Sequence, residues 1–176
     1  MNDTIGDQQI TSHQLAWISG IWDGEGTFCI YPVNKKNDKK ITYHGQVTIT
    51  NTSEVMINEI VKILDFYKIG AHLFLENPRK NKHKACWHIT VGKRECQMRL
   101  ARLMLPYLIA KKDHAEILIR FLLLREKYKQ KPIRGEKGRI LGTERQGNTE
   151  EELSLYDQLK ALNKTGSKED ISQTTR

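Results

Sequence analysis

The chain has 176 residues, with 29 lysines and arginines against 21 aspartates and glutamates, a formal net charge of +8 and a pI near 9.4. That length suits one domain, or two very small ones, and the basic balance makes a polyanion the first partner to consider. No apolar run approaches the ~18–20 residues of a membrane span, the polar start MNDTIGDQQITSH resembles neither a secretory signal nor an Arg-rich transit peptide, and Cys29, Cys86 and Cys96 form no CxxC pair, so membrane, secreted, disulfide-rich and collagenous classes are excluded in favour of an intracellular protein with reduced thiols.

In chain order, the apolar spacing of Leu15, Ile18, Ile21 and Trp22 predicts a helix over residues 13–24, capped by Thr11 or Ser12. Extended runs from Thr27 to Val33 and from Ile41 to Thr50 flank the polar stretch 34–40 and predict a hairpin with a basic tip. Asn51-Thr-Ser53 offers caps for a helix whose apolar side carries Val55, Met56, Ile60, Ile63 and Leu64, with Gly70 as its terminator. A second hairpin spans Ala71–Glu76 and Ala85–Val91 around a basic loop, and helices follow at about Arg94–Leu105 and Lys111–Lys129, broken near Pro106. Residues 1–129 read as the core. The Gly- and charge-rich stretch 130–149 reads as a loop or linker, and 150–176 as a helix to about Leu162 with a polar tail, all within a single domain.

Positive charge is clustered. Residues 78–99 hold seven Lys/Arg and one Glu, residues 120–145 nine and three, and residues 34–40 four Lys and one Asp. Lysine-rich turns can simply blunt sheet edges. The strand faces point further, because Tyr43, Val47 and Ile49 alternate with Thr42, His44, Gln46 and Thr48. Phe28 and Ile30 alternate with Thr27, Cys29 and Tyr31, and Trp87, Ile89 and Val91 with His88 and Thr90. A face of Thr, His, Gln and Tyr both donates and accepts hydrogen bonds, as base-edge readout in a major groove requires. Flanking lysines such as Lys35 and Lys40 suit phosphates. For Leu73, Phe74 and Leu75, adjacent in sequence, no face can be assigned.

The segment Leu15-Ala-Trp-Ile-Ser-Gly-Ile-Trp-Asp-Gly-Glu-Gly-Thr-Phe28 carries the chemical signal. Ala16, Gly20 and Gly24 fall four apart and stack on one helix face. Glycine within a helix costs about 1 kcal/mol relative to alanine, so a close backbone approach to another helix is the expected reason. Asp23 and Glu25 then fall at a helix C-terminus, where the macrodipole disfavours anions and a compensating cation is wanted.

Ile18-Ser-Gly-Ile-Trp-Asp-Gly-Glu-Gly26 resembles the LAGLIDADG homing endonuclease motif, agreeing at Gly20, Asp23 and Gly26, with a carboxylate at Glu25 where the pattern has Asp. The likeness extends to Gly45-Gln-Val-Thr48, to Leu105-Pro-Tyr-Leu-Ile-Ala-Lys-Lys112 and to Tyr156-Asp-Gln-Leu-Lys-Ala-Leu-Asn163. It implies an α+β fold of order αββαββα, with a saddle-shaped antiparallel DNA-binding sheet and C-terminal helices. A single motif copy implies a C2 homodimer whose interface includes Ala16, Gly20, Ile21, Asp23 and Gly24. Glu25, helped by the carbonyl of Gly24, is the implied metal ligand for Mg²⁺, roughly two or three ions per dimer with Mn²⁺ as a substitute. Such ions polarise the scissile phosphate, activate the attacking water and stabilise the leaving 3′ oxygen. Lys111 takes the place of the family's catalytic lysine, with Lys112 next in line, and Asp23 takes a capping role. The polar residue that orders catalytic water aligns without a gap on Ile49 and with a small gap on Asn51, which is the favoured choice.

The implied DNA-binding set is Thr27, Cys29, Tyr31, Lys35, Lys40, Thr42, His44, Gln46, Thr48, His88 and Thr90, and the tail 163–168 is a candidate phosphate clamp. Strands of ~9 residues at ~3.3 Å per residue match roughly nine base pairs per subunit, or double-stranded DNA of about 20 base pairs per dimer. The implied function is site-specific, metal-dependent double-strand cleavage leaving 3′ overhangs, in an organellar or prokaryotic setting, with no membrane partner. An RNA maturase acting on intron RNA and a non-cleaving DNA-binding protein are the alternatives. Gly135-Glu-Lys-Gly138 lacks phosphate-loop spacing, and His83, Cys86, His88 and Cys96 lack zinc-ligand spacing.

Overall fold

The period-two alternation of the strand segments becomes a four-stranded antiparallel sheet ordered β1-β2-β4-β3. A computed structural model describes residues 12–33, 41–77, 84–128, 132–134, 140–143 and 150–165. Thr11, both hairpin tips with Lys35, Lys40 and His83, and the tail past residue 165 lie outside the described residues. The elements are α1 (Ser12–Glu25), β1 (Gly26–Val33), β2 (Thr42–Asn51), α2 (Glu54–Phe66), β3 (His72–Glu76), β4 (Cys86–Val91), α3 (Arg94–Met104), α4 (Lys112–Lys127), β5 (Pro132–Arg134), β6 (Ile140–Thr143) and α5 (Glu150–Thr165). The fold is α+β in the expected order. Within the stretch expected as loop, β5 and β6 pair antiparallel.

The chain divides into two compact units, Met1–Thr27 with Val47–Lys112, and Phe28–Gln46 with Asp113–Arg176. In the first, β2 runs against β4 with Val47 opposite Val91 and Ile49 opposite Ile89, and all four side chains are buried. Their even-numbered neighbours Thr48, Thr50, His88 and Thr90 point to the other face. On the apolar side α2 packs against β4 through a stripe of Ile57, Ile60, Ile63 and Leu64. Val55, expected on that stripe, is instead 76% exposed, and Ile57 takes the buried place, because a 3.6-residue period starting at Ser53 rotates Val55 outward.

Ser53 caps α2 by accepting from the Met56 N–H. At the far end the expected terminator Gly70 is not the one used. Lys68 adopts the left-handed conformation (φ 53°), with its N–H donating to Asp65 O and the Ile69 N–H donating to Leu64 O at 2.8 Å. This is the Schellman pattern, closed by the buried Ile69, and Arg99 donates to the Tyr67 carbonyl from the side.

Helix α1 packs on α3. Ser19, fully buried, donates to the Leu15 carbonyl at 2.7 Å and lies 3.5 Å from the Met104 carbonyl. A small residue is needed there for the two helices to approach. Trp22 is also fully buried, and a Cβ at Gly26 would overlap its indole ring. Glycine is therefore required where α1 turns into β1.

In the second unit, Phe28, Ile30 and Tyr43 are buried, as are Leu118, Phe121 and Leu122 of α4 and Leu155 and Leu159 of α5. Tyr43 packs against Tyr156 with ring centroids 4.9 Å apart and the planes tilted by 33°, and burial raises its phenol pKa. Arg125 donates to the buried Glu152 carboxylate at 3.2 Å, which supplies the partner a buried charge requires. No helix among the described residues is long and apolar enough to cross a membrane.

Left-handed backbone costs a residue with a Cβ roughly 1–2 kcal/mol, part of which glycine returns as chain entropy. Lys68→Gly should therefore raise stability by up to about 1 kcal/mol, read as a shift in the urea midpoint at constant slope.

Candidate active site

A helix ends with carbonyls that no backbone N–H satisfies and with a partial negative charge. At the end of α1 that role falls to Lys111, whose ammonium donates to the carbonyls of Trp22 at 3.1 Å and Gly26 at 2.6 Å. Asp23 makes the reciprocal connection. One carboxylate oxygen accepts from the Ile109 N–H at 2.7 Å, and the other from the Lys111 N–H at 2.8 Å. The compensating cation expected for the paired acids is thus Lys111, and Asp23 ties the turn ahead of α4 to the motif helix. Burial lowers the Lys111 pKa below the usual lysine range, while Asp23 and Glu25 hold it up.

Glu25 is the last residue of α1 and is exposed, as is Gly24 before it. It lies near enough to Lys111 to favour its charged form. Lys112, the next cation, is exposed at the start of α4. Asn51 ends β2 with its Oδ1 accepting from the Ser53 N–H at 2.8 Å, which links it to the start of α2. Ile49, the gap-free alternative, is 1% exposed in the core. Ala16, Gly20 and Gly24 are exposed on α1, and among the described residues a Cβ at Gly20 or Gly24 would meet no atom within 4 Å. Ile21 and Asp23 are half-buried. Among the described residues no three His, Cys, Asp or Glu side chains cluster to hold a metal.

The polar strand faces lie where alternation places them. In the first unit Thr27 is exposed, and Thr48, Thr90 and His88 are half-buried on the polar side. The His88 ring is already engaged, with Nδ1 2.9 Å from Thr50 Oγ1 and Nε2 3.0 Å from Glu76 Oε2. In the second unit Tyr31 and His44 are exposed with ring centroids 6.1 Å apart, and the Thr42 hydroxyl donates to the Val33 carbonyl at 3.3 Å. Cys29 makes a long thiol contact to Gln46 Oε1 at 3.9 Å, and burial raises its pKa.

Thr50, His72, Phe74 and Glu76 were not on the list read from sequence. The register pairs His72 with Thr90, Phe74 with His88 and Glu76 with Cys86, so all three β3 residues share the polar face. Three adjacent apolar residues had hidden the phase of β3. Thr50 carries the same parity as Thr48, and that signal was present in the sequence.

A family model described as a LAGLIDADG-like domain matches residues 12–104, more than half of the chain. The chain belongs to this LAGLIDADG-like family. Among solved structures, the homing endonuclease I-CvuI in complex with the I-CreI target is 16% identical, with 94% of this chain and 89% of that one covered and a TM-score of 0.55. The archaeal intron-encoded homing endonuclease I-Vdi141I, complexed with DNA, is 12% identical over 93% and 89% of the two chains, with a TM-score of 0.59. Meganuclease I-SmaMI bound to DNA is 15% identical, and there 88% of this chain covers 45% of the other, with a TM-score of 0.51. At such identities the likeness establishes the LAGLIDADG fold. No curated protein matches the sequence.

The Asp23–Lys111 geometry of this LAGLIDADG chain sets a titration test. In the folded protein the ¹³Cε resonance of Lys111 should titrate below the ordinary lysine midpoint. Asp23→Asn should lower that midpoint further, because it removes a charge that favours the ammonium. An unchanged midpoint in the variant would remove Asp23 from the pair. The unfolded chain holds this proton to higher pH than the folded one, so the Lys111 contribution to stability rises with pH between the two midpoints.

Proposed function

We propose that this LAGLIDADG protein is a site-specific double-strand DNA endonuclease that acts as a C2 homodimer with divalent metal. The observation that carries the reading is the end of α1. There an exposed carboxylate, Glu25, stands beside an ammonium that the fold itself has pinned and partly desolvated. Three further features support it: the polar strand faces, the net charge of +8, and neighbours of this fold that are homing endonucleases complexed with DNA.

The donors present fit a hard cation. Glu25 and the Gly24 carbonyl offer oxygen only, and a site with so few protein ligands suits Mg²⁺, which keeps several waters and takes phosphate oxygens as further ligands. When bound, the metal supplies Lewis-acid activation of water and phosphate. The chain's own residues do the rest. Lys111 has three N–H donors, of which two are committed to Trp22 and Gly26; the third is available to the negative charge that develops on the phosphate. Asp23 keeps that lysine in place through the Lys111 N–H. Asn51, if it orders water, does so through its amide N–H₂, since its carbonyl oxygen serves Ser53.

The homodimer reading rests on the open glycine face of α1. Those glycines give no packing benefit among the described residues, while a second helix could approach there at backbone distance. In support, this chain covers 89% of I-CvuI but only 45% of I-SmaMI. The product would carry 3′ overhangs from a near-palindromic target of about 20 base pairs.

Two outcomes are expected. Glu25→Gln should abolish cleavage of a selected plasmid target, as chelation should, while leaving DNA binding intact. Persistent cutting would remove Glu25 from the metal site, and salt-sensitive DNA binding without cutting by the unmodified protein would make this a binding protein. Gly20→Leu should leave the chain folded, since Gly20 is exposed and a Cβ there meets no described atom within 4 Å, but convert a dimer into a monomer in sedimentation velocity. A Gly20→Leu variant that stays dimeric would place the interface elsewhere.

A further inference from the structure

The polar face of the first unit contains a side-chain cluster that the nuclease chemistry does not use. His88 sits at its centre, with Thr50 Oγ1 2.9 Å from Nδ1, Glu76 Oε2 3.0 Å from Nε2, and Phe74 stacked on the ring at 4.6 Å with the planes 4° apart. A carboxylate only accepts, so Nε2 carries the proton toward Glu76. The Thr50 hydroxyl both donates and accepts and serves Nδ1. The imidazole is therefore fixed in position, in plane and in tautomer by three neighbours from the two flanking strands, β2 and β3. The Glu76 side chain remains 45% exposed, against 23% for His88.

A carboxylate on a DNA-facing surface is repelled by every phosphate. What rewards it is a base-edge amino group, and the major groove presents two, cytosine N4 and adenine N6. Beside N6, adenine also presents the N7 acceptor, which opposes the second carboxylate oxygen, whereas cytosine presents no acceptor next to N4. Holding Glu76 in advance also reduces the side-chain freedom it would lose on binding. From this geometry we propose that Glu76 reads the N4 amino group of a cytosine, with His88 as its positioning residue. The assignment rests on the DNA-binding reading above and deepens it: it moves His88 from direct contact to support and gives β3 a role in specificity.

The test is binding selection by the intact protein from a library of duplexes in Ca²⁺, comparing the unmodified chain, Glu76→Gln and His88→Phe. The unmodified protein should enrich cytosine at one position of each half-site. Glu76→Gln should weaken that preference roughly tenfold or more at that position alone. His88→Phe keeps a ring against Phe74 but cannot donate to Glu76, and it should relax the same position and no other. The double variant should be no more relaxed than Glu76→Gln alone. Should Glu76→Gln fail to fold by circular dichroism, Glu76→Asp, with its carboxylate drawn back by one methylene, should give the same single-position loss. An unchanged base profile, a uniform gain in affinity for all duplexes, or adenine at that position would overturn the assignment and leave the DNA-binding reading standing. No enrichment by the unmodified protein would overturn both.

Discussion

The reciprocal tie between Asp23 and Lys111 is the constraint on which the rest of the site depends. Each group answers a deficit the other's segment creates. The end of α1 exposes carbonyls and negative charge, which Lys111 neutralises at Trp22 and Gly26. The turn ahead of α4 exposes N–H groups, which the Asp23 carboxylate receives at Ile109 and Lys111. Charge-assisted hydrogen bonds of this kind are worth about 1.5–3 kcal/mol each, so the tie is a structural commitment of the first unit. It also brings an ammonium beside Glu25, which makes one arrangement both a helix cap and a candidate reaction centre.

That dual use explains the residues around it. Trp22 has to be buried under the turn, and Gly26 has to lack a Cβ so that the indole fits. Ser19 has to be small for α1 to approach α3. The remaining small residues, Gly20 and Gly24, have no such partner among the described residues. The helix thus has two faces of different purpose, one satisfied internally and one left open. An open glycine face costs helix propensity without return unless something packs on it, which is the physical ground for the proposed symmetric partner.

The polar strand faces follow a different logic. Their residues are partly engaged with one another before any ligand arrives: Cys29 contacts Gln46, Thr42 bonds Val33, and His88 is held between Thr50 and Glu76. A surface meant to recognise hydrogen-bonding patterns gains from such restraint, because each side chain fixed in advance has less freedom to lose. It also means that parity along a strand identifies which residues face outward but not which of them remain available.

Much of this was legible in the sequence. Period-two alternation named the faces of β1, β2 and β4, the Ser53 cap and the glycine spacing of α1 were visible, the motif singled out Asp23 and Glu25, and the resemblance of the segment 105–112 singled out Lys111. These are local signals, set by backbone geometry over a few residues. What only the tertiary structure decided depends on contacts distant in sequence. Lys111 reaches back 85 residues to the Gly26 carbonyl. The phase of β3 is set by its register with β4, since its own run of apolar residues has no period. The left-handed residue that terminates α2 is Lys68 rather than Gly70 because burial of Ile69 favours closing the Schellman turn two residues earlier, at the expense of a strained lysine backbone. Local chemistry proposes where each element lies and which face it shows; packing decides which side chains are committed to the fold and which remain for a ligand.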